Sequence, residues 1–273
     1  MIVNCFILNF NGRSIISECV LAAQAQSVSM RIIVIDNGST DDSISKIQKH
    51  DVEIFKIKKN ISFTRAYNQA YLQHGLKADY NLFISNDVFL NAVDVVERLI
   101  EEAIASNVDL IAPQSLRPDQ SLDLIAKPKV GVLNLLNSYA LPIRLKRFRP
   151  KDLDQNVTYS PAVIQDSCFL MKNLGQKNVF DEDFMFYFTE DDLSLSLASN
   201  GKKILYFPEV KVYHLVSYST EKKSMSWSYN KSYKDSLTYV RKYYGKYYLL
   251  YMVLSFPMSV SRLLYYKIRE LFV

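Results

Sequence analysis

The first 112 residues alternate apolar runs with helical patterns, and this alternation leaves few folds open. Residues 2–8 (IVNCFIL), 31–35 (RIIVI), 52–57, 80–84 (YNLFI) and 108–112 read as strands. Between the first two, residues 15–26 place Ile15, Ile16, Cys19, Val20 and Ala23 on one helical face. Residues 42–49, 63–74 and 93–105 continue the helical pattern, with Gly75 closing the second of these. Strands separated by single helices form βαβ units, so the chain is α/β with a mostly parallel sheet flanked by helices. Ligands of such sheets bind at the carboxyl ends of the strands. Polar residues directly after a strand are therefore the first candidates for a site.

The second half is less regular. Residues 116–159 carry no clear period; within them IRLKRFRPK (143–151) interleaves five cations with Ile143, Leu145 and Phe148. A solvated loop and a contact with an acidic surface both fit that segment. Residues 163–171 read as one strand, and 193–199 as a helix closed by Asn200-Gly201. Two short strands, 203–207 and 210–213, flank Pro208-Glu209.

After Ser217 the composition shifts to Lys, Ser and Tyr, and residues 229–244 and 247–269 read as two helices. The expected organisation is a main domain of residues 1–216 and a helical appendage of residues 217–273. The formal charge of +5 resides in that appendage: residues 222–273 hold ten Lys/Arg against two Asp/Glu. Residues 247–261 are uncharged but shorter than the roughly 20 apolar residues a bilayer span needs. Aromatics and cations around them suit a helix lying in a membrane surface. Packing on the domain or on a second copy is the alternative, which leaves a homo-oligomer open.

Composition excludes several classes. Hydrophobic residues make up 49% and charged residues 22%, enough core to rule out a disordered chain. Three cysteines without CxxC spacing fit a reducing, cytoplasmic setting. Three histidines without an HExxH pattern argue against a zinc enzyme. Met1 leads straight into a strand, so no signal peptide is expected. Confinement of the cations to the tail, with no recognition motif, argues against nucleic-acid binding. No GxSxG, GxxxxGK[ST] or GxGxxG is present.

Three segments place chemistry after strands. Asp36 ends the second strand in IDNGSTDDS, where a carboxylate can accept hydrogen bonds from a base or ribose. Asn86-Asp87 interrupts two apolar runs in FISNDVFL; an acid there is costly unless paired or bound to a metal, and hard oxygen suits Mg2+ or Mn2+ bridging to phosphates. Between them, NISFTRAYNQA sets Asn60 before a helix that carries Arg65 and Asn68 three apart, a face suited to a nucleotide diphosphate. Later, FYFTEDDLSLSL places Glu190, Asp191 and Asp192 in a row, with Thr189 positioned as an N-cap.

In order and spacing, these segments resemble the inverting nucleotide-sugar glycosyltransferases of family 2, within them the rhamnosyltransferase-like branch. The resemblance runs from Ile2 to His214 through LNFNGRS, DNGSTDDS, NISFTRAYN, SNDV, FDEDFMFY, TEDDL and NGKKILYFPEVKVYH. It implies a GT-A (Rossmann-like) fold, a nucleotide-sugar donor, a glycan or lipid-linked glycan acceptor, and a divalent cation, Mg2+ or Mn2+. By resemblance Asp36 binds the nucleobase, and Asn60, Arg65, Asn68 and Asn86 the rest of the donor. Asp87 holds the metal, with His214 beside it. The general base is Glu190 on an ungapped match, or Asp191 if EDD is read as the family's E-D pair, the simpler reading.

An inverting transfer needs one such base and no covalent nucleophile. The resemblance also implies a cytoplasmic enzyme, peripheral on the cytoplasmic face of the inner membrane. The chain departs from the family pattern at Ser62 for a glycine, at DSCFL (166–170) for a small-residue segment, at Asn86 for a proline and at Ser196 for an arginine. A different nucleotide-sugar enzyme, or a non-catalytic sugar-binding subunit, are the competing readings.

Overall fold

The computed structural model describes residues 1–141, 154–165, 167–215 and 224–271. The basic segment 143–151, Asp166 and the expected boundary at 216/217 lie outside the described residues.

The sheet grows from the predicted units. Strands β1 (Val3–Asn9), β2 (Arg31–Asn37), β3 (Glu53–Ile57) and β4 (Tyr80–Ser85) pair in parallel in the order β3-β2-β1-β4. Helices α1 (Ile16–Gln24), α2 (Ser43–Ile47) and α3 (Phe63–His74) make the crossovers. Beyond β4 come β5 (Val88–Phe89), α4 (Val95–Ala105), β6 (Leu110–Leu116), β7 (Ala126–Lys127), α5 (Val132–Tyr139), β8 (Val163–Ile164), β9 (Cys168–Lys172), α6 (Thr189–Ser199) and β10 (Ile204–His214). The eight-stranded sheet continues β4-β9-β6-β10-β5, with β9 antiparallel to both neighbours. The α/β expectation, a mostly parallel mixed sheet flanked by helices, is met.

Three local expectations change. The single strand at 163–171 is two: β8 pairs with β7 in a small second sheet, and β9 enters the main one. The two strands around Pro208 are one, β10, with a register shift between Phe207 and Lys211. Proline lacks the N–H that a ladder needs, and a bulge accommodates it without ending the strand. Helix α6 begins at Thr189 rather than at 193, and Phe188, not Thr189, occupies the N-cap in a left-handed conformation (φ 59°).

Alternation along β1 divides the core. Cys5 and Ile7 face α1, α2 and α4, whereas Phe6 faces α3 and α6. On the second face, Phe83 stacks between Phe6 (5.3 Å) and Phe169 (5.0 Å). Burying each such ring contributes about 1.5–3 kcal/mol.

The appendage folds as α7 (Met225–Tyr243) and α8 (Tyr248–Glu270). Buried Tyr239, Val240 and Tyr251 form a third core with Leu135, Tyr139 and Phe184, so the two helices are packed on the sheet domain. The helical stretch Gly245–Glu270 is long and apolar enough to cross a membrane, with 17% of its apolar window buried. By length and composition alone this stretch is longer than the 15 uncharged residues 247–261, because it takes in Arg262 and the charges beyond it.

Candidate active site

A cleft of about 950 Å³ opens at the carboxyl ends of β1, β2 and β4, the position a parallel sheet reserves for ligands. Its floor is tied together by Asn9, fully buried at the end of β1. The Asn9 amide donates to Ser39 Oγ (3.2 Å) and Ser43 Oγ (3.0 Å), and its carbonyl accepts from Asn86 Nδ2 (2.7 Å). Gly12 sits against this pair; a Cβ there would lie 2.3 Å from both side chains.

The second loop builds a side wall. Asp36, nearly buried at the end of β2, accepts from the Ser39 N–H (3.0 Å) and is not among the residues lining the cleft. Its neighbour Asn37 does line it, accepting from the Ile61 N–H (3.1 Å) and donating to the Ser62 carbonyl (3.3 Å). Gly38 (φ +76°) lets the chain turn against Lys59 and Asn60, whose backbone a Cβ would meet at 2.6–2.7 Å. Ser62 holds φ 102° and ψ 163°, a region that essentially only glycine adopts without strain. The backbone here is glycine-like, at the position where the resemblance leads one to expect a glycine and the residue is serine.

Lys59, Asn60, Ser62 and Arg65 form this wall, with Arg65 Nε 3.5 Å from Glu182 Oε2. Asn68, expected beside them, is not among the residues lining the cleft. It is buried, accepts from the Val179 and Phe180 N–H groups (3.0 Å each) and donates to the Phe180 carbonyl (2.8 Å). Its amide holds the segment that leads to the acidic motif. Asn86 lines the cleft, but its amide donates to Asn9.

Asp87 and His214 meet on the opposite side. The antiparallel pairing of β5 with β10 sets His214 against Val88, and His214 Nε2 lies 3.7 Å from Asp87 Oδ1. The other ring nitrogen, Nδ1, lies 3.5 Å from Asp123 Oδ2. Burial pushes the Asp87 carboxyl up, partly offset by His214. Burial acts on Asp123 as well, but hydrogen bonds from His214 and Arg117 overcome it and hold that carboxyl below its usual value. Asp123 escaped sequence reading because it lies in the aperiodic stretch after β6; no motif marks it.

The three consecutive acids divide. Glu190 lines the cleft, and its Oε2 accepts from Thr189 Oγ1 (2.5 Å). Burial is the main force that pushes its carboxyl up to about 7. Asp191 is 4% exposed and lies outside the cleft lining; burial pushes it to about 6, with Lys127 acting the other way. Asp192 faces α7, paired with Lys242 Nζ (2.7 Å) and accepting from the Tyr243 hydroxyl (2.6 Å). Residues one apart on a helix point about 100° from each other, which is why three adjacent acids meet three environments. Of the two acids that the sequence offers as general base, Glu190 lines the cleft and Asp191 does not. Thr189 is no cap; its hydroxyl is used by Glu190.

The appendage also reaches the cleft. Trp227 and Lys231 of α7 line it beside Met185, Phe186 and Tyr187. Neither α7 residue was singled out from sequence, because the tail's composition suggested a separate unit. Among the described residues no three His, Cys, Asp or Glu side chains converge as a closed metal site.

Comparison with known proteins agrees with this fold. Among curated protein sequences none matches the chain at a significant level. Solved structures resemble it at low identity. A crystal structure of S. aureus TarS aligns over 80% of this chain and 37% of its own, with 14% identity and a TM-score of 0.55. GalNAc-T7, crystallised with UDP, GalNAc and Mn2+, aligns over 78% and 44%, with 13% identity and a TM-score of 0.57. The mannosyltransferase PcManGT from Pyrobaculum calidifontis, in complex with GDP-Man and Mn2+, aligns over 84% and 60%, with 13% identity and a TM-score of 0.55. The chain spans less than two thirds of each of these proteins, and likeness at this identity speaks to the fold. The family described as "Glycosyl transferase family 2" matches residues 5–173, more than half the chain, and takes in the strand-end loops that build the cleft floor and one wall. With that match and a GT-A architecture, the chain belongs to glycosyl transferase family 2.

Proposed function

We propose that the protein is an inverting, metal-dependent glycosyltransferase that moves a hexosyl or deoxyhexosyl group from a nucleotide-diphosphate sugar to a glycan hydroxyl. One observation carries this reading. A carboxylate poised near 7, Glu190, shares a cleft with a cationic wall and with the Asp87–His214 pair. The wall of Lys59, Asn60 and Arg65 suits a diphosphate, and Asp36, at the carboxyl end of β2 but outside the cleft lining, is assigned to the nucleobase by the family resemblance. Asn86 supports the floor through Asn9, and Asn68 acts indirectly by holding residues 179–180.

The residues fit a divalent cation. Burial pushes the Asp87 carboxyl up, which a cation beside it would reverse, and Asp123 on His214 Nδ1 would leave Nε2 with its lone pair toward Asp87. Mg2+ or Mn2+ in transferases takes few protein ligands and completes its shell with phosphate and water, so a closed cage is not required. When bound, the ion supplies Lewis-acid stabilisation of the leaving diphosphate. Glu190 takes the proton from the acceptor hydroxyl. The hydroxyl oxygen bonds to the anomeric carbon from the face opposite the leaving group. The bond from that carbon to the diphosphate oxygen breaks, and its electron pair leaves with the nucleoside diphosphate. The expected donors are dTDP- or UDP-sugars, rhamnose among them, and the acceptor is a lipid-linked surface polysaccharide in growth.

The absence of an arginine at Ser196 would favour a non-catalytic subunit. The Glu190 carboxylate in the cleft, with Lys59 and Arg65 among the same lining residues, supports the catalytic reading instead. The exposed stripe of Leu249, Leu250, Val253, Phe256, Leu264 and Ile268 on α8, followed by Lys267 and Arg269, supports docking on the cytoplasmic face of the inner membrane. Docking to a second copy is the competing occupant.

Incubating the protein with membranes, Mg2+ or Mn2+ and a panel of nucleotide sugars tests this reading. Release of nucleoside diphosphate with labelled lipid product is expected, and Asp87→Ala should abolish it. Full metal-dependent transfer by Asp87→Ala would remove the metal assignment. Binding of Leu250→Glu/Val253→Glu to anionic vesicles as strong as wild type would remove the membrane assignment.

A further inference from the structure

Helix α7 lies beyond the family-matched residues, yet it closes one side of the cleft. Trp227 meets Phe186 edge-on at 5.7 Å, and Phe186 meets Tyr187 at 5.2 Å. Lys231 Nζ sits 5.9 Å from the Trp227 ring centre and 3.4 Å from Met185 Sδ. Asp235, one turn further along α7, fixes this wall: its buried carboxylate accepts from the Met185 (3.2 Å), Phe186 (2.9 Å) and Tyr187 (2.8 Å) N–H groups. A helix that anchors a loop through three hydrogen bonds, and then presents an indole and an ammonium beside it, forms a built surface.

That surface stands next to Glu190, which the same loop precedes, while the diphosphate wall of Lys59 and Arg65 belongs to the sheet loops. An aromatic face suits the apolar face of a sugar ring, and a half-buried lysine suits an anion. The end of α8 joins the same corner: Glu270 accepts from the Ser226 N–H and hydroxyl (2.7 Å each), next to Trp227. The exposed apolar stripe of α8, with Lys267 and Arg269, therefore ends at the rim of this wall.

Resting on the transferase reading, we infer that α7 forms the acceptor subsite, with Trp227 stacking on the acceptor sugar and Lys231 holding the phosphate that links it to an apolar chain. The ligand class is a lipid diphosphate sugar, whose chain follows α8. An acidic glycan without a lipid phosphate is the other source of the anion, and the test separates the two.

Trp227 is the chain's single tryptophan, so intrinsic fluorescence reports on this wall alone. The probes are decyl-diphosphate N-acetylglucosamine, the neutral decyl N-acetylglucosaminide and N-acetylglucosaminyl-glucuronic acid. Saturable change is expected with the diphosphate probe, with the other two weaker by about tenfold or more. Lys231→Gln should raise the diphosphate probe's Kd about tenfold, with Lys231→Arg restoring most of it. UDP-sugar binding, measured by calorimetry, should stay unchanged in both variants. Equal binding of the neutral probe, a stronger acidic-glycan response, an unaffected Lys231→Gln, or no response while nucleotide sugar still binds would each overturn the subsite. Loss of nucleotide-sugar binding in the wild type would instead overturn the transferase reading.

Discussion

Lys242 Nζ lies 2.7 Å from Asp192 Oδ1, joining the appendage to the helix that carries the cleft acid. The Asp192 side chain is 3% exposed, so this cation compensates a charge that water cannot reach. Lys242 also meets Asp181 at 2.6 Å, and Arg241 meets Asp183 at 3.3 Å. The appendage is in this way latched to both flanks of the acidic motif.

Removing one partner of a buried pair strands the other. Lys242→Met should therefore lower stability by about 2–4 kcal/mol in urea unfolding. Adding Asp192→Asn should recover at least about 1 kcal/mol of that loss in a double-mutant cycle. Purely additive effects would mean that the pair does not latch the appendage.

Ser62 is strained in a glycine conformation, at about 1–3 kcal/mol, against a glycine entropy cost of about 0.5–1 kcal/mol. Ser62→Gly should stabilise the protein by about 1 kcal/mol and raise its denaturation midpoint. A lowered midpoint would show that the Ser62 side chain contributes more than its backbone costs.

Asp123 touches His214 rather than the Asp87 side of the ring. Asp123→Asn should weaken Mn2+ binding in the presence of UDP by about 10- to 100-fold, read by electron paramagnetic resonance. Unchanged Mn2+ affinity would remove His214 from the metal's surroundings.

Asn60, Arg65, Asn86, Asp87, Glu190 and His214, each following a periodic element or sitting in a spaced motif of the sequence, all line one cleft. The crossover helices were equally clear: α3 occupies the predicted residues 63–74. Asp123, Trp227 and Lys231 were not legible. They reach the cleft only because β9 inserts antiparallel between β4 and β6 and because α7 folds back on the acidic loop. Both are long-range packing events with no local period. Asn68 misled for the opposite reason: its helical spacing from Arg65 is real, but its amide turns inward to residues 179–180.

Protonation of Glu190 also has a stability signature. Its folded pKa of about 7 exceeds its ordinary 4.5, so between those values the folded protein keeps a proton that the unfolded chain has lost. Stability must then fall as pH rises through that window. Glu190→Gln should flatten the fall and be more stable than wild type at pH 8 by roughly 1–3 kcal/mol, with little difference at pH 4. Parallel pH profiles for the two proteins would place the raised pKa elsewhere.

The central claim is that Glu190, not its neighbour Asp191, takes the acceptor proton. Single-turnover rates of Glu190→Gln and Asp191→Asn, with nucleotide-sugar affinity measured alongside, test it most directly. Glu190→Gln should lose about 10²- to 10⁴-fold in turnover while binding donor as wild type does, and Asp191→Asn should stay within about tenfold of wild type. Loss of turnover in Asp191→Asn, with Glu190→Gln active and its donor bound, would contradict the assignment.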